Sequence, residues 1–550
     1  MNRIRIPGFF LVVILAIIPL VGLLPQGLAV THDGIDHVAR IANFYKGLSE
    51  GILFPRWGGN LNWGYGHPIL MFLYPLSSYM ASIFHFMGFS YVDSLKIIFG
   101  FGYIASGVTM YLWARKQFNE YFAVASSLLY MYAPYRFVDL YVRGAIGEHM
   151  AFIFPPLILY FIFKYFECRG IRPKTISFIG LSISFALLLL AHNAISLMFM
   201  PIIACYSLVL AYTRKEYKSL IYITLAVLNG FMISSFFTVP AFLEGKFTLR
   251  DIVTGDEYRN RFVTNPLTFL YGAWSYGITG QFSVQIGIAH ILGLLLVPLF
   301  FLKTKKKEVK LVLLMIIIFF AGSLFLMIPQ SNFLYQLVTT LQKFQFPWRF
   351  LTLTVFTSSV VGASIFIILK NNKAKNIAMC VLILLLFFST FSYWWAKSYK
   401  KIPDNFFETV YNGTTDTGES SPIWSVRFME KKPMAHAEVI SGKAVIVEKT
   451  RKSTEHKYSI TVLTDSSRIR ENTLYFPSWK VYIDGKDTAI QFQDPSERGL
   501  ITYDLGKGSH SVIVEFKDTK LRMFSNMLSI VSVFLTALLG LIIFKYKHEK

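Results

Sequence analysis

Residues 31–68 read THDGIDHVARIANFYKGLSEGILFPRWGGNLNWGYGHP and follow directly on the first hydrophobic segment of a 550-residue chain. The stretch opens acidic and stays aromatic throughout. It places Asp33, Asp36, His37, Arg40, Arg56 and His67 in the first loop, gathering acid, base and cation at a water boundary. Composition says what that boundary is. With 54% hydrophobic and 17% aromatic residues and a mean hydropathy of +0.48, the chain is a polytopic membrane protein, not a soluble globular one. Runs of roughly 20 apolar residues, enough to cross a bilayer, begin near Phe9, Leu95, Tyr121, Ala151, Thr175, Ala194, Leu220, Val284, Lys310, Pro347, Asn376 and Met523. They predict about twelve spans. The first run follows Arg3 and Arg5, is longer than a signal-peptide core, and is read as a retained anchor.

A formal charge of +22 would suggest nucleic acid in a soluble chain. Here the Lys and Arg fall in short connectors at 115–116, 169–174, 214–218, 303–310, 370–375 and 545–550. That is the positive-inside pattern, and no nucleic-acid partner is expected. Residues 69–87 are apolar enough to span, yet counting them would put almost every basic connector outside. Held as a juxtamembrane or re-entrant element, they leave both termini cytoplasmic in the plasma membrane and the loops 31–94, 139–149 and 244–283 outside. The three cysteines, Cys168, Cys205 and Cys380, sit in or beside predicted helices and offer no disulfide framework.

The composition turns polar after Trp395, which divides the chain into a transmembrane domain at 1–396, an extracytoplasmic domain at 397–521, and a last membrane helix with a basic tail at 522–550. Within the second, alternation of period two at 444–448, 457–462, 479–483, 499–503 and 511–516, with Asp484-Gly485 and Gly506 to Gly508 as turns, predicts a β-sandwich.

In the first loop, Asp33, His37, Arg40 and Phe44 fall at helical spacing and would share one face, with Asp36 pointing partly away. Asp33 as a plain N-cap, with Asp36 at the third helical position, is the structural alternative. Against it stand His32, His37 and His67 nearby, and the glycine runs 58–59 and 64–66 that let backbone approach a ligand. The second outer loop, DLYVRGAIGEHM at 139–150, brings Asp139, Arg143, Glu148 and His149 to the same side. A third outer element, FQFPWRF at 344–350, sets Arg349 at the mouth of a span, where an interfacial anchor is the alternative role.

The runs THDGIDHVARI, GLSEGILFPRW, GYGHPILMFLYPLSSYM and YMYAPYRFVDLYVRGAIGEHMAFIFPPL resemble the membrane family labelled 6-pyruvoyl-tetrahydropterin-synthase-related, within the GT-C and YfhO-like glycosyltransferase group. FQFPWRFL, TGESSPIW and the tail motifs LYFPSWKVYIDGK and GLITYDLGKGSHSVIVEF look like that family's later landmarks. The label implies no pterin chemistry. The resemblance implies a GT-C-like helical fold that uses a polyprenyl-phosphate-linked sugar, with Asp33 in the place of the catalytic acid. The chain departs from the usual acidic pair, because Gly34 follows Asp33 and the next carboxylate is Asp36.

The expectation is therefore a cell-envelope glycosyltransferase that moves a sugar from a polyprenyl phosphate to a glycan, lipid or protein acceptor on the outer face. Asp33 or Asp36 would be the catalytic base, and His37, Arg56, His67, Arg143, Glu148 and Arg349 the candidate substrate-binding residues. Arg56, Arg143 or Arg349 would steady the leaving phosphate. A divalent cation shared by Asp33 and Glu148 is left open, as scattered oxygen ligands are a weak metal signal. The alternatives are a lipid-linked-sugar flippase or transporter, which should carry ionisable residues deep in its helices, and a non-catalytic carbohydrate-binding membrane assembly factor.

Overall fold

The computed structural model describes residues 7–277 and 282–545. All twelve predicted apolar runs are helical. Among the described residues, eight helices are long and apolar enough to cross a membrane, and a ninth span forms if Ser219–Ile233 and Ser235–Leu243, bent by 77°, are taken as one. The remaining runs are shorter than expected: Gly8–Leu23 and Ile288–Lys303 are short apolar helices, and the run from Tyr121 stops at Tyr132, before Pro134. Residues 69–87 do not form a span. They break into Ile69–Phe72 and Leu76–Phe86, with the extended Leu73 and then Pro75 between them.

The basic connectors meet at one end of the helical body. Lys116 pairs with Glu167 at 3.3 Å, Lys174 with Glu216 at 3.5 Å, and Arg214 with Glu308 at 2.9 Å, while Tyr121 donates to Asn376 at 2.8 Å. The basic run at 545–550 lies outside the described residues beyond Lys545.

At the opposite end sit the loops and a β domain. Two short strands, β1 (Leu28–Ala29) and β2 (Tyr399–Lys400), pair and tie the end of the first helix to the chain leaving the last span before the domain. The domain itself carries β3 (Ala437–Ser441), β4 (Ala444–Arg451), β5 (Glu455–Leu474), β6 (Trp479–Ile483), β7 (Lys486–Thr488) and β8 (Leu500–Phe516). They form one antiparallel sheet in the order β3-β5-β8-β6-β7, with β4 also on β5; β5 bends so far that His456 and Glu471 on it lie 3.0 Å apart. The inward face of β5 and β8, with Tyr458, Ile460, Val512 and Val514, needs an apolar partner. The first loop supplies it: Trp57 and Met71 join the sheet's buried cluster. Trp57 meets Trp479 edge-on at 5.3 Å and Phe516 at 5.5 Å, contacts each worth about 0.5–1.5 kcal/mol beyond the area they bury.

Two ion pairs fasten the final helix, Lys520–Lys545, beneath this layer. Arg56 pairs with Asp518 at 3.0 Å and also donates to Asn526 at 2.7 Å and to the Phe236 carbonyl at 3.0 Å. Arg522, fully buried, pairs with Glu244 at 2.8 Å.

Basic connectors at one end and the sheet at the other predict opposite exposure. In a cysteine-free background, Met434→Cys, at a fully exposed position of the β domain, and Lys305→Cys, in an exposed basic connector, should react with an impermeant thiol reagent from opposite sides of a sealed vesicle. Labelling of both from one side contradicts this arrangement.

Candidate active site

The helix Gly34–Ser49 carries the first-loop residues. Asp33 occupies its N-cap position, yet the carboxylate makes no capping bond. Thr31 Oγ1 accepts from Gly34 N at 3.1 Å instead, so the helix start is satisfied without Asp33. Backbone bonds from His32 N to the Val142 carbonyl (3.0 Å) and from Asp33 N to the Arg143 carbonyl (2.9 Å) pin this loop to the second outer loop. The second loop is a π turn, Val138–Arg143, closed by Gly144 at φ +67°. That left-handed backbone favours glycine, and a Cβ there would run into Thr31.

The π turn puts Asp139 and Arg143 on the same side. Arg143 donates to Asp139 (2.6 Å), to Glu148 (2.8 Å) and to the Tyr135 hydroxyl (3.0 Å). Its guanidinium lies over the Trp348 ring, 4.6 Å from the centroid. Glu148 also accepts from Tyr135 at 2.7 Å and from Thr352. Arg349, one helical turn before Thr352, donates to the Phe344 carbonyl at 2.9 Å and stacks over Phe346. Its buried Nε has no partner, and it is near enough to Glu148 and His192 to act on both electrostatically.

His37 and Arg40 bond at 3.0 Å and, with Phe44 and Tyr74, line a cavity of about 20 Å³, the expected face of the first-loop helix. That volume suits a single water, and the buried His37 Nε2 is unpartnered. Burial pushes the His37 imidazole well below its ordinary range, with Arg40 and Arg143 adding to the shift. Tyr74 stacks on His192 at 4.8 Å. It fits only because position 147 is glycine, where a Cβ would enter the Tyr74 ring.

The chain entering the β domain closes the site. Tyr411 donates to Asp36 at 2.9 Å, and Arg40 donates to the Thr415 carbonyl, which Thr415 presents from a strained backbone at φ +67°. Asp416 accepts from the Gly418 and Ser420 backbone N–H groups at 2.9 and 3.0 Å and lies 3.4 Å from His67. Burial works to raise the Asp416 carboxyl, but His67, Ser420 and Thr414 outweigh it and hold it below the usual carboxylate range.

Of the sequence candidates, Asp33, Asp36, His37, Arg143, Glu148 and Arg349 converge here, and His67 reaches the site's edge through Asp416. Arg56 does not. It is consumed by Asp518, Asn526 and the Phe236 carbonyl. Asp33 and Glu148 do not form a metal-ligand set either, because Glu148 is committed to Arg143, Tyr135 and Thr352, and among the described residues no group of three or more His, Cys, Asp or Glu is placed to hold a metal. Sequence reasoning missed Tyr74, His192, Tyr411 and Asp416. The signal for Asp416 was adjacent, since the motif TGESSPIW begins one residue later.

No protein-family profile matches the chain, so the pterin-related label of the resemblance stays an expectation. A curated relative from Lactococcus lactis subsp. cremoris (strain MG1363), an uncharacterized protein, is 23% identical over 255 residues, 44% of this chain and 41% of its own length. Among solved structures, the arabinofuranosyltransferase AftD from Mycobacteria is similar with a TM-score of 0.48 at 10% identity, covering 71% of this chain and 27% of AftD. ArnT from Cupriavidus metallidurans gives 0.41 at 11% identity, covering 68% of this chain and 61% of ArnT. The Archaeoglobus fulgidus oligosaccharyltransferase gives 0.45 at 12% identity, covering 77% and 62%. The chain thus spans less than two thirds of each.

Burial raises the Asp36 carboxyl above its ordinary range against the pull of Arg40 and the Tyr411 hydrogen bond. An acid whose folded pKa is raised contributes stability when protonated, and loses that contribution as pH climbs through the raised value. Asp36→Asn, neutral at every pH, should therefore melt above the unmodified protein at neutral pH, with the gap closing on acidification. A variant that melts lower at neutral pH contradicts this.

Proposed function

We propose that this chain is a membrane glycosyltransferase that moves a sugar from a polyprenyl-phosphate donor to an acceptor on the extracytoplasmic face. The observation that carries the reading is Asp33: a half-buried carboxylate at a helix start, released from capping by Thr31 and near enough to Arg143 to act on it electrostatically. In the reaction, the acceptor hydroxyl gives its proton to Asp33 and its oxygen bonds to the anomeric carbon. The bond from that carbon to the donor phosphate breaks, and the phosphate leaves with the electron pair.

The cations divide by commitment. Arg143 is spent on Asp139 and Glu148 and acts as the fixed floor of the site. Arg349 and Arg40 keep donors for the leaving phosphate, the charge that most needs stabilising in a desolvated site. Asp36, held by Tyr411, positions the helix start beside Asp33. The cavity of about 20 Å³ is far too small for a sugar, so the donor enters by displacing the juxtamembrane segment around Tyr74 or the chain at 411–416. The outward placement of the site rests on the basic connectors gathered at the far end of the helices.

One observation bears on the transporter alternative and weighs against it. Arg136 is buried within the helical body. Its guanidinium is caged by Phe152 at 3.9 Å, with Tyr103 and Tyr130 alongside, and it donates to Ser106 at 2.9 Å. A cation locked among rings serves packing better than passage.

Asp33→Asn should fold and insert normally yet lose roughly a hundredfold or more of transfer activity, as removal of a general base does. Asp36→Asn should lose less. Unimpaired product formation by the double variant sinks the catalytic reading of this loop.

Arg349→Lys keeps the charge but not the planar fork that suits a phosphate. Turnover should fall in Arg349→Lys and nearly vanish in Arg349→Ala. Full activity in Arg349→Ala returns this residue to an interfacial anchor.

A further inference from the structure

A second cavity, of about 180 Å³, lies where the first loop meets the sheet. Its volume is that of about six waters, which suits one sugar ring and no longer glycan. Lys46, Arg451 and Lys452 line it, and no carboxylate does. The acids behind the wall are already engaged: Glu471 is held by Arg451 and His456, each at 3.0 Å, and Glu50 accepts from Ser453 N at 2.8 Å. Lys46 donates to Asn60 at 3.1 Å and, like Lys452, has no carboxylate within ion-pair distance among the described residues. Burial pushes the Lys46 ammonium below its ordinary range, with Glu50 opposing. Apolar wall comes from Trp57, Tyr65 and Val410. Such a lining, an apolar floor with a few convergent charges, is what a small-ligand site needs.

The cavity is coupled to the candidate active site. Lys46 lies ten residues after Asp36 on one helix, a rise of about 15 Å. Tyr411 bridges the two, its N–H donating to the Asn60 carbonyl beside the cavity at 2.8 Å and its hydroxyl to Asp36. We propose that this cavity is an acceptor subsite for a sugar bearing an anionic group, a phosphate or a carboxylate, recognised by Lys46, Arg451 and Lys452. The word acceptor rests on the transferase reading, while the recognition of an anionic sugar does not. Arg451 is half-committed to Glu471, so the two lysines supply the free charge and discriminate anionic from neutral sugars.

The test is calorimetric titration of the full-length detergent-solubilised protein with glucose 6-phosphate, glucuronate, glucose and inorganic phosphate, without donor. Either or both of the anionic sugars should bind at least about tenfold more tightly than glucose and than inorganic phosphate, as expected of a charge-assisted contact made together with the ring. Lys452→Gln, at an exposed position that leaves folding intact, and Lys46→Gln should each weaken that binding about tenfold. Asp33→Asn should bind like the unmodified protein, which separates this subsite from the catalytic reading: transfer lost with binding kept supports both. Glucose binding as well as the anionic sugars, inorganic phosphate matching them, no binding by any probe, or binding untouched in both lysine variants overturns the proposal.

Discussion

Two backbone hydrogen bonds, from His32 and Asp33 to the carbonyls of Val142 and Arg143, are the constraint on which the site-bearing end of the molecule depends. Each is worth only about 0.5–1.5 kcal/mol net. Their effect comes from what they align. Arg143 is itself held by Asp139, Glu148 and Tyr135, and Glu148 by Thr352 from a distant helix. Fixing Asp33 to the Arg143 backbone therefore references the first loop to the rigid helical body. Without the left-handed turn at Gly144 the two strands of chain could not approach, since any side chain there would meet Thr31.

Charge is distributed unevenly around that junction. Asp139 and Glu148 share one arginine, and breaking such a buried set by removing one partner typically costs about 3–5 kcal/mol. The set is a brace, and its charges are not free to turn over a substrate. Asp33 has the opposite character, partly open and with no side-chain partner among the described residues. The placement of a free carboxylate beside a neutralised, immobile cluster separates the group available for chemistry from those that hold it.

Much of this was legible in the sequence, and what was not has a common cause. Apolar runs announced twelve helical stretches, and helical spacing put His37, Arg40 and Phe44 on one face, because both signals are local. The choice between Asp33 as cap and Asp33 as free carboxylate turned on Thr31, a residue whose role appears only when the helix start is built. Arg56 looked like a phosphate ligand because nothing nearby in sequence uses its charge; its partner, Asp518, is 462 positions away. Period two shows that a sheet has an apolar face, and part of the cover comes from Trp57 and Met71 in the first loop, which no local signal announces.

The clasp between Arg56 and Asp518 also sets an order of events in biogenesis. At about 5–20 residues per second, the ribosome needs roughly 20–90 s to travel from one partner to the other. Through that interval Arg56 stands without Asp518, and Trp57 for most of it without Trp479 and Phe516. The clasp of the first loop is thus completed only when the start of the last helix has been made. Chains that stop before Asp518 would carry every residue of the candidate site and still lack this clasp.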